Sequence, residues 1–85
     1  MMNMRIAIVD DEEVVARGDR MGEVVLEALG RAGVDRAEIA SVYYGSEVKE
    51  AEAEELAQEI RDHCHVEVEL VYGGQPYYDY VISLE

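Results

Sequence analysis

Apolar residues recur along this chain with two different spacings. Arg5 to Val9 is a short run with Ile6 and Ile8 on one face. Asp10, Asp11 and Glu12 break it, Val14, Val15 and Ala16 resume it, and Gly18 closes it. Two such runs around an acidic turn predict a β-hairpin. The spacing then changes. Met21, Val24, Val25, Ala28, Leu29 and Ala32 fall at three- and four-residue steps, which is one face of a helix. Asp19 is placed to cap its start and Gly33 to end it in a left-handed conformation.

The β-branched and aromatic run Ile39 to Tyr44 predicts a third strand, stopped by Gly45 and Ser46. A second helix is expected from about Glu50 to His63. Its apolar stripe is Ala53, Leu56, Ala57, Ile60 and Cys64, and Glu52, Glu55 and Glu59 lie opposite. Val66, Val68, Leu70 and Tyr72 alternate with Glu67 and Glu69, the mark of a strand with one wet face. Gly73-Gly74-Gln75-Pro76 reads as a turn. A last strand follows, with Tyr78, Tyr80, Ile82 and Leu84 expected to point inward.

The predicted order is ββαβαββ, an α+β two-layer sandwich with a five-stranded mixed sheet and two helices on one face. The passage from Ile39 to Tyr72 is expected to be a right-handed parallel crossover. The last strand is expected to pair antiparallel with its predecessor through the glycine turn. Local pattern leaves the full strand order open.

Composition narrows the function. The 85 residues suit one domain, with no low-complexity tract, linker or repeat. Twenty Asp and Glu against seven Lys and Arg give a formal charge of −13. Nucleic acid and anionic membrane surfaces require the opposite sign. No apolar run is long enough for a transmembrane span or a signal peptide. A single cysteine excludes an internal disulfide and suits a reducing, cytoplasmic setting. The chain is too small to hold a nucleotide site, a substrate pocket and a catalytic apparatus together, so the domain is expected to be non-catalytic.

Three constellations invite chemistry. Asp10-Asp11 after the first strand matches the acidic pair that holds magnesium in a response-regulator receiver. The phosphoacceptor expected after a third parallel strand is missing, since Tyr43-Tyr44-Gly45-Ser46 stands there, and the only lysine is Lys49. A solvated hairpin turn explains the pair more simply. His63-Cys64-His65 suggests zinc, but adjacent side chains point apart and no second cluster completes four ligands. Cys64 lies at a helix C-terminal end among carboxylates, which opposes the lowered pKa of a nucleophile. The six tyrosines carry more information, because Phe and Trp are absent. Tyr43-Tyr44, Tyr72 and Tyr77-Tyr78 flank Gly45 and Gly73-Gly74, the composition of a recognition surface. Alternation puts Tyr72, Tyr78 and Tyr80 on the inward face, so the same rings also read as core. The Glu-rich helix face from Glu47 to Glu59 reads as solvated surface that a basic partner would neutralise.

Several segments together resemble a known family. They are Ile6-Ala7-Ile8-Val9-Asp10, Val14-Val15-Ala16 with Gly18-Asp19, Tyr43-Tyr44-Gly45 before a Glu/Ala-rich helix, Val66-Glu67-Val68-Glu69 before Tyr72-Gly73-Gly74-Gln75-Pro76, and Tyr80 to Glu85. They are similar to the C-terminal domain of the dihydroxyacetone-kinase-like, or DAK phosphatase-like, proteins, of the type found in the ATP-binding subunit of fatty acid kinase. Two features depart from the family pattern: Lys49 stands where a Ser or Thr cap is usual, and His63-Cys64-His65 replaces a Pro/Asp-type loop.

The resemblance implies an accessory domain. ATP and magnesium would belong to a kinase domain elsewhere in a parent protein, with no cofactor in this domain. The parent would phosphorylate a fatty acid held by a DegV-type fatty-acid-binding protein. The expected contact residues are Tyr44, Tyr72, Gly73, Gly74, Gln75, Pro76, Tyr77 and Tyr78, with no catalytic and no metal-binding residue. The start Met1-Met2-Asn3-Met4 reads as an artificial or unstructured initiation within a longer protein. The competing readings are a receiver-like magnesium-binding phosphoacceptor using Asp10 and Asp11, and a purely structural homodimerising module.

Overall fold

The computed structural model describes residues 4–9, 13–18, 21–76 and 78–85, with side-chain surroundings from Gly22 onward. Asp10, Asp11, Asp19 and Tyr77 therefore lie outside the described residues. The elements are β1 (Met4–Val9), β2 (Glu13–Gly18), α1 (Met21–Ala32), a single 3-10 turn (Val34–Arg36), β3 (Ile39–Tyr44), α2 (Glu50–Cys64), β4 (Glu67–Tyr72) and β5 (Tyr80–Leu84). The architecture is α+β, with two helices and a mixed sheet.

The sheet is organised around β3. On one side β3 pairs parallel with β4, from Ile39↔Glu67 to Tyr44↔Tyr72. On the other it pairs antiparallel with β5, from Ala40↔Leu84 to Tyr44↔Tyr80. The backbone of β1 runs parallel to β5, and β2 pairs antiparallel with β1, giving the order β2-β1-β5-β3-β4.

This corrects the expected pairing of the last two strands. β5 is not the hairpin partner of β4; β3 lies between them. Backbone hydrogen bonds supply the reason. The Gly73 and Gly74 amides both donate to the Tyr44 carbonyl, at 2.9 and 3.2 Å. The Gly45 amide donates to the Asp79 carbonyl at 2.7 Å. The connection thus passes over the end of β3 and delivers the chain to its far side.

Alternation builds the core. Ala40 and Val42 of β3, Val68 of β4, and Tyr80, Ile82 and Leu84 of β5 are buried. They meet Val25, Ala28 and Leu29 of α1 and Ala53, Leu56, Ala57 and Ile60 of α2 in a single cluster. Both helices therefore supply their apolar stripes to the same core. Among the described residues no polar or charged side chain is buried. Gly33 has φ +87°, as a left-handed helix end requires, and Val34 after it folds into the core. α2 starts at Lys49 without a side-chain cap. It ends at His65, φ +53°, whose amide donates to the Arg61 carbonyl.

Among the described residues Tyr80 is the largest fully buried side chain. Burial, and then the nearby charges of Glu52, Asp79 and Glu55, push its phenol from 10.0 up to about 12. The fold therefore keeps a proton that the unfolded chain releases. Stability from this group is present below about pH 10 and falls as the pH rises toward about 12. Tyr80→Phe should flatten this alkaline loss, measured as denaturant midpoint against pH; an unchanged slope would show that Tyr80 does not couple to unfolding.

Candidate recognition site at the tyrosine end of the sheet

β3 and β4 end in register, so four side chains gather at one corner. Tyr43 faces Val71 across the ladder and Tyr44 faces Tyr72. Because consecutive side chains alternate, the two pairs lie on opposite faces. Tyr44 is half-buried, and its ring meets that of Tyr72 edge to face, with centroids 5.3 Å apart. Such a pair contributes beyond its area alone.

The inward position expected for Tyr72 does not bury it. The residue is 61% exposed. Its parity matches Val68 and Leu70, but it ends the outermost strand, which among the described residues has β3 as its only ladder neighbour. On the other face Tyr43 and Val71 are also exposed. The corner thus shows apolar surface on both sides of one strand end.

A polar brace fixes this corner from behind. The Gln75 amide nitrogen donates to the carbonyls of Tyr43 and Tyr78, at 3.0 and 3.1 Å. The Gln75 carbonyl accepts from the Ser46 amide at 3.1 Å. Gly45 is buried beneath this arrangement, and a Cβ there would stand 2.6 Å from the Tyr78 carbonyl and 2.9 Å from that of Gln75. Only glycine lets these strands of backbone approach so closely. Gly74 has φ +68°, and Pro76 is exposed beside it. Tyr78 is half-buried and precedes β5 rather than belonging to it.

An open groove of about 530 Å³ runs from this corner between α2 and β4. Tyr44 and Leu70 line one side, and Glu50, Glu54, Ala57, Gln58 and Arg61 line the other. The helix residues fall at three- and four-residue steps, so one stripe of α2 forms that wall. This spacing is visible in the sequence, but Gln58 and Arg61 fit an ordinary wet face equally well, so the sequence alone does not mark them as groove residues. Desolvation raises the Tyr44 pKa, with further upward contributions from Glu50, Tyr72 and Glu54. Burial likewise raises the Asp79 carboxyl, helped by Glu47 and Glu52. The negative potential at this end is thus carried by several carboxylates together.

The other sequence candidates do not converge. The His63 ring nitrogen Nδ1 lies 3.0 Å from the Glu59 carbonyl, and His65 forms the helix end. Cys64 is half-buried against the core, and burial raises its thiol pKa. No group of three or more metal-ligating side chains occurs among the described residues. Among them, too, no helix is long and apolar enough to cross a membrane.

The FakA-like C-terminal family of fatty acid kinase matches residues 2–85, and the chain belongs to that family. No curated protein sequence matches it.

The Gln75 brace generates a specific expectation. Gln75→Glu replaces a donor facing two carbonyls with a carboxylate that can only accept. It should cost about 1–3 kcal/mol at neutral pH and recover part of that loss in acid, when the side chain regains an O–H donor. Chemical denaturation at two pH values measures this, and equal stability of variant and parent at neutral pH would show that the brace carries no weight.

Proposed function

We propose that this chain is a non-catalytic docking domain of a fatty-acid-kinase-type protein. In this reading the parent protein transfers phosphate from ATP, with magnesium, in a separate kinase domain. The present domain engages the partner that holds the fatty acid, a protein of the DegV-type fatty-acid-binding kind. A cytoplasmic setting follows from that role.

The observation that carries the reading is Tyr72: a large aromatic side chain, mostly exposed, set edge to face against Tyr44 and held at a braced strand end. Rigid aromatic groups of this sort lose little conformational freedom on binding, and they dominate interface energetics. Tyr44, Tyr72, Gly73, Gly74, Pro76 and Tyr78 are the proposed contacts, joined by Tyr77 on the sequence pattern alone. Gln75 contributes by holding their backbone in place. The net charge of −13 and the acidic stripe beside the corner favour a partner with a basic surface, which would speed encounter. Membership of the family supports the kinase context.

Binding to a DegV-type fatty-acid-binding protein, followed by calorimetry, tests this. A complex should form, weaken as salt is raised, and lose about tenfold in affinity, near 1.4 kcal/mol, on Tyr72→Ala. Gly73→Val should weaken it as well, since an added side chain would crowd Gln75 and Tyr43. No complex, or a complex indifferent to both substitutions, would contradict the proposal. A stable dimer of the chain alone that excludes the partner would favour the dimerising module instead.

A further inference from the structure

The outermost strand β4 carries a second feature, separate from its aromatic end. Neighbouring backbone units of a strand point to opposite sides, so two hydrogen bonds fix which groups face outward. The Glu67 amide donates to the Glu38 carbonyl at 3.1 Å, and the Gly73 amide to the Tyr44 carbonyl at 2.9 Å. Both bonds point toward β3. The backbone groups of Val68, Leu70 and Tyr72 therefore face away from the sheet, an open edge of the kind that pairs with an added strand.

One of these groups is covered. The Arg61 guanidinium donates to the Val68 carbonyl at 3.3 Å and also reaches the Gln58 side chain. Leu70 and Tyr72 have no such cover among the described residues. Leu70 also lines the groove between α2 and β4.

Charge decides what fits. Glu67 and Glu69 are exposed on one face of β4, and Glu50 and Glu54 line the groove on the other. A second copy of this chain would bring its own glutamates against them across the new ladder, and like charges placed opposite are destabilising. An extended segment bearing lysine or arginine meets carboxylates on both of its faces.

We propose that the β4 edge receives an extended basic segment of the partner protein as an added strand, paired through Leu70 and Tyr72, with Arg61 limiting the pairing at Val68. This rests on the docking reading and specifies its geometry. Arg61 is also the guard that keeps the edge from recruiting strands indiscriminately, as edge charges do in other sheets.

The test uses the whole chain, labelled for NMR, and a ten-residue capped peptide alternating Lys and Val, with a Glu-for-Lys peptide as control. The Lys peptide should bind saturably and slow amide exchange at Leu70 and Tyr72 at least tenfold, while the Glu peptide does neither. Arg61→Ala should extend that protection to Val68. Leu70→Pro, which removes an outward amide and no bond to β3, should abolish it; if that variant does not fold, the protection pattern of the parent and of Arg61→Ala decides alone. Peptide binding without protection at Leu70 and Tyr72, or no saturable binding, overturns the proposal. So does a fatty-acid-binding partner that binds folded Leu70→Pro as tightly as the parent, an outcome that leaves docking itself intact. Protection by the peptide with no complex to that partner would instead refute the docking reading and keep the edge.

Discussion

The crossing of the chain over the end of β3 is the constraint on which the rest depends. Two glycine amides close on the Tyr44 carbonyl, the Gly45 amide closes on Asp79, and the Gln75 side chain ties Tyr43 to Tyr78. These bonds let β5 lie beside β3 while β4 stays outside. The same bonds fix the ends of β3 and β4, and so fix the tyrosines. A single set of polar contacts thus determines both the sheet topology and the shape of the exposed corner.

That arrangement separates two tasks within a very short chain. Aliphatic residues of both helices and the inward face of the sheet form one core without a buried polar side chain among the described residues. Stability therefore comes from burial, the large Tyr80 ring included. In the proposed docking role, recognition falls to the rim, where aromatic rings stand on strand ends instead of on a long loop. The acidic stripe of α2 does not strengthen the core; in the proposed role it favours a basic partner.

Much of this was legible in the residues. Period marks both helix stripes, and the buried Val25, Ala28 and Leu29, like Ala53, Leu56, Ala57 and Ile60, are the positions that the spacing selects. Gly33 as a left-handed helix end follows from its place after the last apolar step. The relationship to the fatty acid kinase family is legible too, from the glycine-Gln-Pro segment and the aromatic strand after it. Strand pairing is less visible. Gly73-Gly74 has the look of a hairpin turn, because local sequence does not encode that both amides bond back to Tyr44. Alternation likewise assigns Tyr72 to the inward face, yet side-chain parity says nothing about where the covering layer ends. Gln75 is hard to read for a similar reason. Its role depends on carbonyls of Tyr43, thirty-two positions away, and of Tyr78.

The central claim is that the tyrosine corner is prearranged by its backbone brace. Native-state amide exchange of the free chain tests it directly. The Gly45 and Gly73 amides should exchange only through openings nearly as costly as those that expose the central β3 amides, such as Val42. Exchange at Gly45 and Gly73 through far easier local openings, with the β3 amides still protected, would contradict the account.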